Sequence, residues 1–298
     1  MSVLVTGATG FIGCHLVRRL LEAGREVTIL VREAYGMGEP LPRPLATVRS
    51  QIQAVYADLR NVKLTVRAVE EAAPEQIVHL AAAGTTDPFL PVNDALRHNL
   101  QGTLNLLRAA FERTFATRQV IVARTPGERC AMNVYAASKA AAWNFCRMYA
   151  RTQTWPIHGA MIFQAYGPGQ PEKTLIPAAF SAAMAGDDFP MTSGEQERDW
   201  IHVYDVVEGI EAMMRCDLRP GTTVELGTGQ ATSVVEVVRQ IYALAGCGGQ
   251  PRPGALPDRP GEAPVQLADA RHTRALLGWQ AKHSLSQGLR LTLDDLAQ

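Results

Sequence analysis

Tyr135 and Lys139 stand four residues apart in Tyr135-Ala-Ala-Ser-Lys139, a stretch that reads as the start of a helix, so both side chains share one face. A phenol and an ammonium placed this way form a proton-transfer pair. An ordinary tyrosine keeps its proton up to about pH 10, and a neighbouring cation favours the phenolate. Gly7, Gly10 and Gly13 recur at three-residue spacing in Thr6-Gly-Ala-Thr-Gly-Phe-Ile-Gly13. They lie between a short apolar run, Val3 to Thr6, and a segment whose apolar residues Leu16, Val17, Leu20 and Leu21 have helical spacing. Strand, glycine turn and helix in that order make a pyrophosphate cradle: glycine lets the backbone come close, and the helix N-terminus offers N–H groups and a favourable dipole. Arg32 follows a second apolar run, Val27 to Val31. An acidic residue there would bind the ribose 2′-hydroxyl of NAD, whereas an arginine suits the 2′-phosphate of NADP. Arg32 therefore points to NADP, and Glu33 beside it keeps NAD open.

These residues need a frame. Further apolar runs at Gln53 to Ala57, Ile77 to Ala81 and Gln119 to Ala123, with helical patterns over 62–73, 93–112 and 134–151, predict an α/β fold: a Rossmann-type, doubly wound parallel sheet covered on both faces. Gly36 to Arg49, with three prolines, breaks the rhythm and is expected as an irregular loop bordering the adenosine end of the cofactor. Gly159 to Phe163 reads as a sixth strand, after which glycine and proline become frequent at Tyr166-Gly-Pro-Gly-Gln-Pro171 and again over 246–264. The boundary is placed there, with a dinucleotide-binding domain over 1–166 and a smaller C-terminal substrate-binding lobe over 167–298, of which about 199–216 packs back on the first domain.

Composition removes other classes. Lysine plus arginine equals aspartate plus glutamate, 29 each, so no broad basic field exists to draw nucleic acid or anionic lipid. The five cysteines (Cys14, Cys130, Cys146, Cys216 and Cys247) are scattered without CxxC spacing, which argues against a disulfide framework and a zinc site. No metal is expected, and His79, His98, His158 and His202 read as structural. The start carries no leader pattern, and no stretch approaches the roughly 20 apolar residues of a membrane span, so a soluble, cytoplasmic protein is expected.

The glycine turn resembles that of the extended short-chain dehydrogenase/reductases, the NAD-dependent epimerase/dehydratase family. The resemblance continues through Asp58-Leu59, His79-Leu-Ala-Ala82, Asn99-Leu-Gln-Gly-Thr103, Tyr135 to Lys139, Tyr166-Gly-Pro-Gly-Gln170, Leu175-Ile-Pro177, Arg198-Asp-Trp-Ile-His-Val-Tyr-Asp205, Glu225-Leu-Gly-Thr-Gly229, Arg259-Pro-Gly-Glu262 and Leu277-Gly-Trp279. It covers almost the whole chain, and its later motifs point to nucleotide-sugar members. By this resemblance Gly7, Thr9, Gly10, Phe11, Ile12, Gly13, Arg32, Asp58, Leu59, Leu80, Ala81, Ala82, Asn99, Tyr135 and Lys139 line the cofactor. Tyr135 moves the proton at the sugar oxygen, and Lys139 also binds the nicotinamide ribose. Thr125 takes the Ser/Thr role at the end of the fifth strand. Thr85, Gln164, Leu175, Ile176, Arg198 and Arg259 meet the substrate, the two arginines at its diphosphate.

Three departures bear on activity. The segment from Thr125 to Tyr135 is shorter than in typical members, so either Thr125 keeps its role on a trimmed loop or the customary serines are lost. Thr125-Pro-Gly lacks the Asp-Glu pair of the dehydratases, which disfavours simple dehydration. Met161 and Gln164 stand where an arginine and an asparagine are common. The leading expectation is an NADPH-dependent reductase of a nucleotide-linked 4-keto-deoxysugar. The runner-up is a nucleotide-sugar 4-epimerase with tightly held NAD, and a non-catalytic nucleotide sensor is a third reading. Homodimerisation through the helices over 93–112 and 134–151 is implied by resemblance alone.

Overall fold

Val3, Leu4 and Val5 are completely buried in the computed structural model of the chain, which describes residues 1–297 apart from Pro88, Thr114, Phe115, Cys247 and Pro260 and leaves out the side chain of Glu33. The readings that rest on Glu33, Cys247 and Pro260 thus lie outside the described residues. The apolar run forms β1 (Ser2–Thr6), joined by β2 (Glu26–Val31), β3 (Ile52–Tyr56), β4 (Gln76–His79), β5 (Gln119–Arg124) and β6 (Ile157–Ile162). With a seventh strand, Thr223–Leu226, the sheet order is seventh, β6, β5, β4, β1, β2, β3. The ladders linking β1 to β6 are all parallel. Their residues are near-continuously apolar because helices cover both faces. The winding reverses between β1 and β4, and in such sheets the carboxyl ends of strands at this switch point form a crevice for ligands.

The Phe11–Glu22 helix starts straight from the glycine turn and buries Leu16, Val17 and Leu20. Asn61 caps the Val62–Ala72 helix, its side-chain oxygen accepting from the N–H groups of Lys63 and Leu64. The helical run from Val92 to Arg113 is not uniform: Leu96–Gln101 and Ala109–Arg113 are π-helical. Wide turns of this kind commonly mark functional positions. The segment expected as an irregular loop instead holds two four-residue helices, Glu33–Gly36 and Arg43–Ala46, and a 3₁₀ turn, Arg49–Gln51. Leu45, completely buried, anchors it, and Pro44 at the second helical position fits a helix start.

The chain divides into two compact units, residues 1–161 with 207–224 and residues 162–206 with 225–298. In the second, Glu197–His202 is the central strand, flanked by Gln164–Tyr166 and Val265–Gln266 in parallel and by Ala231–Ser233 antiparallel. The helices Leu175–Ala185, Val234–Ala245 and Leu285–Leu296 pack around Tyr166, Phe180, Trp200, Val237, Ile241 and Leu289. Gly288 lies inside the last helix because Tyr166 occupies the space beside it: a Cβ there would come 2.1 Å from the phenol oxygen.

Candidate functional site

The glycine turn is built as tightly as a backbone permits. Gly7 has φ +70°, and a Cβ on it would lie 2.5 Å from the Ala81 nitrogen at the end of β4. A Cβ on Gly13 would lie 2.2 Å from the Gly7 carbonyl oxygen. Both glycines are therefore demanded by the chain itself. Gly10 is different: its Cβ would meet nothing closer than 3.3 Å. It is the N-cap residue of the Phe11–Glu22 helix and gives that helix no side-chain cap. Bare backbone and uncapped N–H groups at the switch point fit the diphosphate of a dinucleotide. Phe11 and Ile12 begin the helix, and Thr9 belongs to the turn.

Behind the turn, His79 is locked between β1 and the helical run. Thr103 spends its hydroxyl proton on the Asn99 carbonyl (2.6 Å), so His79 Nε2–H must donate to Thr103 (2.9 Å). His79 Nδ1 then accepts from the Thr6 hydroxyl (2.7 Å), whose oxygen accepts the Ala81 N–H (3.3 Å). Burial, aided by the positive charge of Lys139, pushes the imidazole down to about 3. His79 is neutral, with its tautomer fixed by its neighbours.

Asn99, in the first π-helical stretch, joins two pieces of the site. Its Oδ1 accepts from Ala83 N–H (2.8 Å), while Nδ2 donates to the Ala83 carbonyl (2.9 Å) and to Ser138 Oγ (2.9 Å). Ser138 in turn donates to the Tyr135 carbonyl (2.7 Å). Both ends of the amide are engaged, so Asn99 fixes the segment after β4 against the helix that carries Tyr135 and Lys139. That helix, Val134–Thr152, is capped by Asn133, whose side chain accepts from Ala136 N–H. Tyr135 packs where Gly84 leaves room, its Cβ 3.2 Å from the position a Cβ on Gly84 would take. Lys139 is only 3% exposed. Burial pushes the Tyr135 phenol up, with the Glu128 carboxylate acting in the same direction, and pulls the Lys139 ammonium down against Glu128. Burial and Glu128 thus both favour the protonated phenol, where spacing alone suggested a lysine-stabilised phenolate.

Thr125 stands at the end of β5 and opens a 3₁₀ turn, Pro126–Cys130. Its N–H donates to Glu128 Oε1 (3.0 Å), and Glu128 Oε2 is held by Arg124 (2.8 Å). Neither Arg124 nor Glu128 was singled out from the sequence. The only clue is a basic strand-end residue followed by an acid four positions later.

The remaining residues are more dispersed. Arg32 is exposed at the end of β2. Asp58, after β3, is gripped by Arg60 through both oxygens, which holds its carboxyl below the usual range. The Leu59 carbonyl accepts from Asn105 (2.8 Å), Leu80 N–H donates to Thr6 O, Ala82 is half-buried and Thr85 is exposed. In the second unit Gln164 and Arg259 are exposed, Ile176 is buried in the apolar core and Leu175 packs against that core. Arg198 is 4% exposed and already paired: it donates to Glu262 (2.7 Å) and to the carbonyls of Glu197 and Ala263. Asp199 was overlooked. Completely buried, it accepts from the backbone N–H groups of Thr228, Gly229 and Ala268. No group of three or more His, Cys, Asp or Glu side chains among the described residues is gathered to hold a metal, and none of their helices is long and apolar enough to cross a membrane.

A parallel sheet in this order with a glycine turn at its switch point defines a Rossmann-type dinucleotide fold. The family model described as NAD dependent epimerase/dehydratase family matches residues 3–227, and the chain belongs to that family. It is 29% identical to a dTDP-glucose 4,6-dehydratase of Xanthomonas campestris, an alignment covering 98% of this chain and 92% of the relative. Identity to a UDP-glucose 4-epimerase of Neisseria meningitidis serogroup B is 27%, over 96% and 94%. Among solved structures, the dTDP-glucose 4,6-dehydratase DesIV of Streptomyces venezuelae with NAD bound superposes with TM-score 0.87 at 26% identity, covering 100% of this chain and 97% of that one.

Proposed function

We propose that the chain is a nicotinamide-dependent oxidoreductase of a nucleotide-activated sugar, in which Tyr135 moves the proton at the sugar oxygen while a hydride moves at the carbon that bears it. The observation that carries this reading is the placing of half-buried Tyr135 and buried Lys139 on one helix face, tied through Ser138 and Asn99 to the segment that leaves β4 beside the glycine turn. Gly7, Gly10 and Gly13, with the first turn of the Phe11–Glu22 helix, would hold the diphosphate of the dinucleotide. Leu80, Ala81 and Ala82 would border it from β4. When bound, the nicotinamide supplies or accepts the hydride. Lys139 offers a cation to the ribose and to a developing phenolate, and Thr125 is the hydroxyl available to orient the sugar oxygen.

Within this class two readings stand level, the first being redox-neutral 4-epimerisation with retained NAD. Relatives named as epimerases and dehydratases match nearly the whole chain, and the acid–acid pair needed for dehydration is missing after Thr125. The only carboxylate nearby in sequence, Glu128, has both oxygens engaged by Thr125 and Arg124. The second reading, reduction of a 4-keto sugar with NADPH, is favoured by Arg32, which is exposed at the strand end where a 2′-phosphate would lie. Arg198 and Arg259 are proposed for the substrate diphosphate in either case, with Glu262 giving up part of its hold on Arg198. Mass spectrometry of the nucleotide retained by the purified protein, with comparative NADH and NADPH binding, separates the readings. Stoichiometric NAD supports the epimerase, an exchangeable site preferring NADPH supports the reductase, and absence of any nicotinamide binding overturns both.

A further inference from the structure

An arginine at the carboxyl end of a buried parallel strand needs unusual accommodation, and Arg124 receives it from four directions. Its Nη2 and Nε approach Glu128 Oε2 at 2.8 and 2.9 Å. Its Nη1 donates to Thr223 Oγ1 at 2.7 Å on the seventh strand. The guanidinium carbon lies 4.5 Å from the centre of the Trp143 ring, within cation–π range. The space is provided by Gly159 on β6, where a Cβ would come 2.7 Å from Arg124 Cδ and 2.9 Å from Trp143 Cη2. Glu128 is correspondingly sealed, with its side chain 1% exposed.

A buried ion pair is a poor way to gain stability, since apolar replacements of similar volume are often neutral or better. Its placement is more informative. Trp143 lies on the same helix face as Tyr135 and Lys139, at successive four-residue steps. The contacts therefore run from that face through Trp143 to Arg124, on to Glu128, and from Glu128 Oε1 to the N–H of Thr125. Nine residues separate Thr125 from Tyr135, and the turn they form is pressed on the helix start: a Cβ on Gly127 would sit 3.2 Å from Ala136 Cβ.

We propose that Arg124 and Glu128 are positioning residues that hold the Thr125 turn against the Tyr135–Lys139 helix and place one negative charge facing that pair. The proposal deepens the functional reading above and names residues of the same site. The group that bears electrostatically on both Tyr135 and Lys139 is Glu128 from the turn; Arg124 from β5 and Cys146 from the same helix act on Lys139, and neutral His79 on β4 is itself acted on by Lys139. Asp94 and His98, on the helical run packed against that helix, couple to Arg60 and Asp58 instead. Glu128 favours the protonated form of both Tyr135 and Lys139. Removing its charge therefore lowers both, so the pH limb governed by Tyr135 must move to lower pH, whichever direction of hydride transfer is measured.

The test uses the full-length protein in two arms. The first needs no substrate: NMR amide exchange at Thr125 in wild type, Glu128→Ala and Glu128→Gln. A bond to a buried carboxylate gives an expected acceleration of roughly 10- to 100-fold in Glu128→Ala and a smaller one in Glu128→Gln, whose amide oxygen still accepts. Unchanged exchange in Glu128→Ala overturns the positioning role, even if no sugar substrate is found for the wild type. The second arm compares pH profiles of kcat for wild type, Glu128→Gln and the double variant Arg124→Met with Glu128→Gln, which leaves no unpaired buried charge. The expected result is a limb displaced to lower pH in Glu128→Gln and displaced less in the double variant, where loss of the Arg124 cation offsets loss of the carboxylate, with kcat lowered about tenfold or more in both and KM within a few-fold. A double variant whose kcat and pH limb match wild type, whatever its thermal stability, overturns the charge role; lowered stability alone leaves the pair merely structural.

Discussion

At the scale of single residues, Tyr135 and Gly7 carry the two tasks most open to test. Tyr135→Phe removes the transferable proton and leaves the packing against Gly84 in place, so turnover is expected to fall roughly 10²- to 10⁴-fold while dinucleotide affinity stays close to wild type. Steady-state kinetics with a fluorescence titration of cofactor checks both halves. Gly7→Ala sets a methyl group against the Ala81 backbone and places a side chain at φ +70°. A loss of about 2 kcal/mol or more in unfolding free energy is expected, with weakened dinucleotide binding, and denaturant titration measures it. The glycine spacing was legible in the sequence because backbone sterics leave no alternative residue at Gly7 and Gly13. Arg124 and Glu128 were not legible as a pair, because their contact depends on a 3₁₀ turn, a glycine on β6 and a tryptophan two helical turns beyond Tyr135. Arg198 shows the converse: its family motif stood out, whereas its internal bond to Glu262 depends on a strand pairing brought together from 64 residues away.

At the scale of elements, the helical run from Val92 to Arg113 matters for the width of its turns as well as for its length. Its π-helical stretch holds Asn99, whose carbonyl accepts from Thr103 while its side chain reaches Ala83 and Ser138. Asn99→Leu keeps the volume and strands the buried partners, so a cost of about 1–3 kcal/mol and a matching loss of activity are expected from calorimetry and kinetics. His79 links this run to β1 and β4. The unfolded chain binds a proton near pH 6.5 that folded His79 refuses until about 3. The unfolded state thus holds more protons across that interval, and stability must fall as pH drops through it. Unfolding followed from pH 7.5 to 4 should show this slope, and His79→Gln should flatten it. Strand and helix periodicity made the six strands readable, because buried parallel strands are continuous apolar runs. Residues 36–49 misled, since prolines that suggest a loop also suit the first turn of a short helix.

At the scale of the molecule, the outer surface of the Val92–Arg113 run and of the Val134–Thr152 helix exposes Val92, Leu96 and Phe145. We expect these to meet in a homodimer. Sedimentation at micromolar concentration should give twice the 32.4 kDa chain mass, and Phe145→Glu should shift the protein towards monomer. The unit assignment of residues 207–224 has a consequence for biosynthesis. Gln76 and Gln119, buried near the starts of β4 and β5, donate their side-chain amides to the carbonyls of Met214 and Met213. The seventh strand covers the edge of β6. A ribosome that has released only the first 161 residues has therefore delivered a sheet with a bare apolar edge and two side-chain amides without the main-chain carbonyls of Met213 and Met214. That nascent intermediate is sticky until some sixty further residues emerge, and bare strand edges of this kind recruit other chains. Chaperone demand during translation should accordingly peak over that window, and slowing codons placed within it should lower soluble yield more than the same codons placed after residue 226.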